Sequence, residues 1–349
     1  MWANLLAVSG SRLAWPAVTA QDRPSIDVVG IGNALVDVLS HESEEFIERH
    51  GLVKGSMTLI DTERAEELYA AMGEGLEVSG GSAANTISGI ASFGGTAAYL
   101  GRVHDDDLGA VFAHDLRSTG VIFRAQPAPE GPPTGRCLII VTPDAQRTMN
   151  TYLGSSEHFG PEHVDGELIA DAQVTFLEGY LFDRDEAKEA YWKASRIAHE
   201  AGRRVALTLS DTFCVERHRD EWRDLVHDQV DILFANEEEA MSLYQVDTFQ
   251  EVLDAARADV EVAAITRGPA GSVVVRGEQV DEVEAHPVEV VDTTGAGDLY
   301  AAGFLYGFTH DRTMAECGKL GSIAASAVLG HTGARPGVSL GQLVRPLGY

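Results

Sequence analysis

The alternation of strand and helix patterns is the feature that most restricts how this chain can fold. Short apolar runs typical of buried strands alternate with stretches whose apolar residues recur at helical spacing. After a first strand pattern at 26–32, further strand patterns lie at 97–101, 173–177, 204–209, 231–235 and 261–266. Helical patterns lie at 84–93, 107–118, 185–201, 215–227, 236–244, 298–309 and 313–330. This alternation predicts an α/β fold with a mostly parallel sheet covered by helices on both faces, and it places ligands at the carboxyl ends of the strands.

Two segments interrupt the alternation, at about 36–62 and about 121–153. Both contain short alternating stretches, such as "SMTLID" and "GRCLIIV", that are separated by glycines and prolines. We interpret them as a small β-sheet lid, inserted at the edge of one domain that spans residues 26–340.

Residues 1–25 precede the first strand pattern. They are mildly apolar with an Ala-x-Ala-like end, which leaves a signal peptide as an alternative. They lack a basic first part and a continuous apolar stretch, so we expect a disordered extension or a misplaced start.

The charge of the chain argues against nucleic acid and membrane partners. Its 349 residues carry a formal net charge of −28, and the acidic residues are scattered rather than gathered in a tail. Such a surface repels phosphate backbones and anionic lipids. The three cysteines show no CxxC spacing, which is typical of a reducing compartment. We expect a cytoplasmic protein that acts on small molecules, as a monomer or homodimer.

The stretch "DTTGAGDLYAAG", residues 292–303, predicts an anion site at the start of a helix. Gly295, Ala296 and Gly297 let a ligand approach the backbone closely, and the first N–H groups of a helix have no partner within it. A negative charge on the first turn of a helix is favourable by itself, so Asp298 could serve only to cap the helix. That role would not explain the two glycines beside it. A carboxylate beside a phosphate site is suited to take a proton from a hydroxyl that attacks the phosphate.

A second site is predicted around "GGSAANTISGIASFGG", residues 80–95. Gly80 and Gly81 precede Ser82, which we expect to cap the helix. Asn85 lies on the first turn, where a ligand would be. With Asn33 and Asp37, which follow the first strand, it forms a set of amides and a carboxylate suited to vicinal hydroxyls.

Other phosphate motifs do not match. The pattern GxxxxGK[ST] is absent, so no P-loop is predicted. "GIGNAL" and "GAGDLY" begin like dinucleotide fingerprints but lack the third glycine, and NAD binding is rejected.

The two glycine-rich stretches resemble the signatures of the ribokinase (PfkB) family of carbohydrate and nucleoside kinases. "GGSAANTISGIASFGGTAAYLGRVHDDDLG" resembles the N-terminal signature and "DTTGAGDLYAAGF" the C-terminal one. The stretches "GIGNALVDV", "TGRCLIIVTPDAQRTMNTYLG", "LSDTFCVERHRDEW" and "VDILFANEEEA" are most similar to its adenosine kinase branch. The resemblance implies a three-layer sandwich with a β-sheet lid, and an ATP-dependent kinase that phosphorylates the 5′-hydroxyl of a nucleoside.

The same resemblance implies a role for each matching residue. Asp298 is the general base, and the amides of Gly295, Ala296 and Gly297 form the anion hole. Arg147 reaches the phosphates after lid closure, although an ordinary surface arginine is an equal alternative. The residues expected to hold the ribose are Asn33, Asp37, Gly80, Gly81, Ser82 and Asn85. The residues expected near ATP are Asn236, Glu239, Thr266, Gly268, Gly271 and Gly297.

Cofactors and the base pocket follow from the resemblance as well. ATP and Mg²⁺ are implied, with Glu239 contacting Mg²⁺ through water. Asp292 and the carbonyl of Thr294 match a monovalent-cation site, which makes K⁺ a possible cofactor. Leu59, Tyr180 and Phe182 are candidates for the nucleobase, although each is also explained as core or lid packing.

Three hypotheses for function stay open at this point. The first is an adenosine-type nucleoside kinase. The second is a kinase of a free sugar, of the ribokinase, fructokinase or 2-keto-3-deoxygluconate kinase type. The third is a non-catalytic sensor of a nucleoside or sugar, built on the same fold. The presence of Asp298 and of the GAG turn, residues 295–297, argues against it.

Overall fold

A computed structural model describes residues 24–144 and 146–349. The predicted N-terminal extension at 1–25 lies outside the described residues except for its last two positions. The strands are β1 Ile26–Ile31, β2 Leu35–His41, β3 Met57–Leu59, β4 Leu76–Gly80, β5 Ala97–Leu100, β6 Ile122–Phe123, β7 Gly135–Val141, β8 Arg147–Tyr152, β9 Ala172–Glu178, β10 Arg204–Thr208, β11 Ile232–Asn236, β12 Val262–Thr266, β13 Ser272–Arg276 and β14 Gln279–Val283. The α-helices are α1 Glu44–Arg49, α2 Thr62–Ala71, α3 Ser82–Phe93, α4 Asp107–Ser118, α5 Gly166–Ala170, α6 Asp185–Glu200, α7 Thr212–Arg217, α8 Arg219–Gln229, α9 Glu237–Tyr244, α10 Phe249–Asp259, α11 Ala296–Thr309, α12 Met314–Leu329 and α13 Leu340–Val344.

The large sheet has the strand order β14-β13-β12-β11-β10-β9-β1-β5-β6. Its strands from β6 to β12 pair in parallel, and β13 and β14 are antiparallel additions at one edge. One face packs against α3, α4, α11 and α12, and the other against α6, α8, α9 and α10. Because the strands are buried on both faces, they are nearly continuous in apolar residues. The predicted α/β three-layer sandwich is confirmed.

The small sheet has the order β3-β8-β7-β2-β4 and forms the lid. Two strands differ from the predicted lid segments. β4 belongs to the lid sheet but lies outside both segments, and β6 lies within the second segment but joins the large sheet. β6 joins the large sheet because α4 leads directly into it, so that β5, α4 and β6 form a parallel crossover. Phe123 then packs in the core against Phe112.

Polar residues stand at the carboxyl ends of adjacent parallel strands in the large sheet. Asn33 follows β1, Glu178 ends β9, Ser210 follows β10, Asn236 ends β11 and Thr266 ends β12. Carboxyl ends of parallel strands meet at one edge of a sheet, so these side chains face the same space. The lid lies across that edge.

Candidate active site

A cavity of about 1150 Å³ lies between this edge and the lid. Most of the residues that we predicted for substrate, ATP and catalysis line it. These are Asn33, Asp37, Leu59, Gly81, Ser82, Asn85, Tyr180, Asn236, Glu239, Thr266, Thr294, Gly295, Ala296, Gly297 and Asp298. The chain therefore brings segments from both ends of the domain to one cavity.

Six predicted residues do not line the cavity. They are Gly80, Arg147, Phe182, Gly268, Gly271 and Asp292. Gly80 lies against the carboxylate of Asp37, which occupies the space that a side chain at position 80 would need. Arg147 forms an ion pair with Asp292, with Nη1 and Oδ2 2.5 Å apart. The other terminal nitrogen of Arg147 is buried without a hydrogen-bond partner in the described part of the chain.

Asp298 is held by two side chains from helix α3. Ser82 Oγ donates to Oδ1 at 2.6 Å, and Asn85 Nδ2 donates to Oδ2 at 3.0 Å. Burial raises the pKa of Asp298, and these two hydrogen bonds oppose the rise. A carboxylate with a raised pKa is a stronger base, which suits proton removal from a hydroxyl.

Ser82 is not the helix cap that the sequence predicts. It is the first residue of α3, and the cap position is Gly81, at φ 95° and ψ 137°. A side chain at Gly81 would collide with the carbonyl oxygen of Asn33. The Ser82 hydroxyl is therefore available to bind Asp298 instead of the backbone.

The GAG turn opens helix α11 as the spacing predicts. Gly295 has φ 78°, a left-handed conformation that favours glycine, and a side chain there would meet the backbone of Ala334. A side chain at Gly297 would meet nothing within 4 Å, so this position faces open space. The amide of Ala296 donates to the carbonyl of Thr293 at 3.3 Å, so one of the three amides predicted for the anion hole is used within the turn.

The side chains of Asp37 and Asn33 differ in the hydrogen-bond partners that the protein gives them. No hydrogen bond from the described residues reaches the carboxylate of Asp37, whose pKa burial raises to about 6, against the opposing charges of Arg335 and Arg147. Asn33 Nδ2 donates to Glu178 Oε1 and Asn33 Oδ1 accepts from Ser156 Oγ, both at 2.8 Å. Asp37 is thus free to accept ligand hydroxyls, whereas Asn33 is already fixed in one orientation.

Asn236 and Glu239 form a capping box at the start of α9. Asn236 accepts from the amide of Glu239 at 2.8 Å, and Glu239 accepts from the amide of Asn236 at 3.0 Å. Burial raises the pKa of Glu239 to about 7. The pair has a structural role as well as a place on the cavity wall.

The three candidates for a nucleobase site have different positions. Leu59 is half exposed on the lid and faces the cavity. Tyr180 lines the cavity, and its hydroxyl donates to the carbonyl of Ser210 at 3.1 Å. Phe182 is buried and stacks on Trp222 with ring centroids 3.7 Å apart, so it belongs to the core.

Sequence reasoning missed Glu178, which is almost completely buried at the end of β9. Its carboxylate accepts from the amide of Ala83 at 2.7 Å and from the amide and side chain of Asn33. Burial raises its pKa to about 7. The signal for it in the sequence is a charged residue that ends an apolar strand, as in "TFLEGY". The apolar lid residues of the cavity were also missed, among them Met57, Ile139 and Met149.

A family model described as "pfkB family carbohydrate kinase" matches residues 51–339, which is most of the chain. The chain belongs to this family. PfkB membership confirms the resemblance that the two signatures carry, and it makes the protein a kinase that uses ATP to phosphorylate a hydroxyl group.

Solved structures of similar proteins agree with the PfkB assignment. An adenosine kinase from Sinorhizobium meliloti is 50% identical, with a TM-score of 0.85 over 93% of this chain and 99% of that one. A probable sugar kinase protein from Rhizobium etli CFN 42 is 49% identical, with a TM-score of 0.86 over 93% of this chain and 99% of that one. The adenosine kinase of Saccharomyces cerevisiae is 26% identical over 88% of this chain and 95% of its own length. In the described ranges, none of the helices is long and apolar enough to cross a membrane.

Proposed function

We propose that the protein transfers the γ-phosphoryl group of ATP to the 5′-hydroxyl of a nucleoside, with adenosine as substrate and AMP as product. The observation that carries this proposal is the placement of Asp298. Its carboxylate is anchored by Ser82 and Asn85 on the first turn of α11, beside a glycine that faces open space. A base and an anion site at one helix start are what in-line phosphoryl transfer requires.

In this reaction Asp298 takes the proton of the 5′-hydroxyl as its oxygen bonds to the γ-phosphorus. The bond between that phosphorus and the bridging oxygen breaks, and ADP leaves. The free amides at the start of α11, with the positive end of the helix dipole, stabilise the charge on the transferred group. The lid excludes water, which would otherwise compete with the nucleoside for the phosphoryl group.

The ribose hydroxyls are assigned to Asp37. Its carboxylate receives no hydrogen bond from the described residues, so it can accept hydrogen bonds from two neighbouring hydroxyl groups of a ligand. Hydrogen bonds to a charged group contribute about 1.5–3 kcal/mol, which is enough to hold a ribose in register with Asp298. Asn85 and the pre-oriented Asn33 lie on the same wall of the cavity.

The apolar residues of the lid favour a nucleoside over a free sugar as the substrate. Leu35, Met57, Leu59, Ile139 and Met149 give the cavity an apolar wall. A purine covers such a surface, whereas a free sugar would leave it wet or bury its own hydroxyls against it. Adenosine kinases among the relatives support the same choice of substrate.

Glu239 fits the Mg²⁺ that this chemistry implies. It lines the cavity, and its raised pKa indicates a buried carboxylate whose charge is not compensated by a neighbouring cation. Mg²⁺ prefers carboxylate oxygens and water, and when bound with ATP it neutralises charge on the phosphates. Asn236 holds the Glu239 carboxylate in place through Nδ2 at 2.7 Å. The cytoplasmic location and the oligomeric state stay predictions.

The test is ATP consumption with Mg²⁺ and with adenosine, inosine, ribose or fructose as acceptor, followed by identification of the product. We expect adenosine to have the highest kcat/KM and AMP to form. A higher kcat/KM for ribose or fructose would replace the nucleoside proposal by the sugar kinase alternative, which the Rhizobium etli relative represents. Asp298→Asn is the control for contaminating kinases.

A further inference from the structure

The ion pair between Arg147 and Asp292 joins the lid to the loop before α11. Arg147 begins lid strand β8, and Asp292 lies three residues before Gly295 of the GAG turn. Both side chains are largely shielded from solvent, at 12% and 9% exposure. Arginine stays protonated in proteins, so this site holds a permanent positive charge.

Three hydrogen bonds and one ion pair surround the Asp292 carboxylate. Oδ1 accepts from the amide of Thr294 at 3.0 Å and from its hydroxyl at 2.7 Å. Oδ2 accepts from the amide of Gly333 at 2.9 Å, and the Arg147 guanidinium forms an ion pair with the same oxygen, with Nη1 2.5 Å away. A carboxylate offers about four lone-pair sites, of which three accept hydrogen bonds here, and the guanidinium covers the side on which a cation would bind.

A monovalent cation therefore does not fit this carboxylate in the arrangement described. A K⁺ ion needs oxygen lone pairs, and here it would also meet the guanidinium charge at close range. The hydrogen bonds from Gly333 and Thr294 and the charge of Arg147 outweigh burial and keep the pKa of Asp292 below its ordinary value. The Asp292 carboxylate is thus ionised, and the positive charge of Arg147 already compensates its negative charge.

We propose that Arg147 takes the place of the monovalent cation at Asp292, and that phosphoryl transfer by this protein does not require K⁺. The inference rests on the proposed kinase function. The pair acts through position: Asp292 holds Thr294 and Gly333, which flank the GAG turn and the Ala334 that packs on it. Arg147 is accordingly a positioning residue for the turn.

This assignment conflicts with the other role predicted for Arg147, contact with the phosphates after lid closure. If Arg147 left Asp292 in each turnover, the carboxylate would need another cation. K⁺ would then activate the protein. One role therefore predicts that K⁺ activates the protein, and the other predicts that K⁺ has no effect.

The first experiment compares kcat of the wild-type protein in KCl and in choline chloride at equal ionic strength, with the best acceptor. We expect the same kcat in both salts. A several-fold higher kcat in KCl overturns the proposal. Absence of turnover in either salt would instead count against the kinase function, so the two failures are distinguishable.

The second experiment uses Arg147→Met, which keeps an apolar stem but removes the charge. In choline chloride we expect kcat to fall about tenfold, the scale of one lost contact to a charged group, and KCl to restore part of it. The melting temperature of Arg147→Met should likewise rise in KCl relative to choline chloride, a readout independent of turnover. Arg64→Met is the matched control, because it removes an arginine of helix α2, which packs on lid strands β7 and β8, and Arg64 pairs with Glu67 of the same helix. If KCl affects Arg147→Met no more than the wild type, the proposal is wrong.

Discussion

The hydroxyl of Ser82 donates a 2.6 Å hydrogen bond to Asp298, although 216 residues separate the two along the chain. Helices α3 and α11 make this contact possible because Gly89 of α3 lets Leu299 and Ala302 of α11 approach closely. The two glycine-rich signatures are thus two halves of one site. One signature supplies the base, and the other fixes its orientation.

Replacement of Asp298 by Asn should abolish most of the activity while leaving the fold intact. An amide cannot take the proton of the attacking hydroxyl, and a general base contributes typically ~10²–10⁴ in rate. We expect kcat to fall by at least ~10² and KM for ATP to change little. Steady-state kinetics with a thermal melt of the same samples measure both. Wild-type kcat in this variant would contradict the assigned role.

Loss of the Ser82 hydroxyl should move the acidic limb of the pH–rate profile. Burial raises the pKa of Asp298 and the hydrogen bond from Ser82 lowers it, so Ser82→Ala should raise the pKa further. Asp298 must be ionised to act, and the limb therefore moves to higher pH.

Thr86→Val is the matched control for Ser82→Ala. Thr86 Oγ1 donates to the backbone carbonyl of Asp298 at 3.1 Å and not to its carboxylate. Its profile should keep the wild-type midpoint. An equal shift in both variants would show that the change comes from general disturbance of the helix contact.

The sequence predicted the layers of the fold and the edge at which the site forms, because both follow from local patterns. Strand and helix periodicities, and the polar residues after β1 and β11, are visible in short windows. The helix predicted at 215–227 was correct in kind but is interrupted at His218, which bonds Asp183 from another segment. Such a break depends on a tertiary contact.

Contacts between distant segments could not be predicted in the same way. The residues around Glu178 mark it as a charged strand end, but they do not show that its carboxylate will accept from the amides of Asn33 and Ala83. Phe182 looked like a candidate for the base site, but only the fold brings Trp222 against its ring. The pairing of Arg147 with Asp292 likewise needs the lid to be in place.

Glu239 should make the unfolding free energy depend on pH. Its folded-state pKa of about 7 lies above the ordinary 4.5, so the folded state binds the proton more tightly than the unfolded chain does. This contribution is fully present below pH 4.5 and is lost as the pH rises through 7. A shift of this size corresponds to a loss on the order of 3 kcal/mol.

Glu239→Gln removes that dependence. Urea unfolding at about pH 5 and about pH 8 should show a smaller fall for Glu239→Gln than for the wild type. Part of the fall remains because Glu178, whose pKa is also raised to about 7, is still present. Glu238→Gln, on the exposed side of the same helix turn, removes a nearby negative charge that helps to raise the pKa of Glu239, so it should keep most but not all of the wild-type fall. An equal fall in the unfolding free energy between the two pH values in all three proteins would contradict the assignment of this fall to the buried Glu239.

The two glycines of the GAG turn should separate stability from activity. Gly295→Ala places a side chain at φ 78° and against the backbone of Ala334, so it should lower the unfolding free energy by on the order of 2 kcal/mol as well as the activity. Gly297→Ala meets nothing within 4 Å and suits a helix, so its unfolding free energy should equal or exceed that of the wild type. Its methyl group nevertheless occupies the space assigned to the phosphoryl group. Urea unfolding and kcat/KM for ATP on both variants decide the matter: a fully active Gly297→Ala protein would place the phosphates elsewhere.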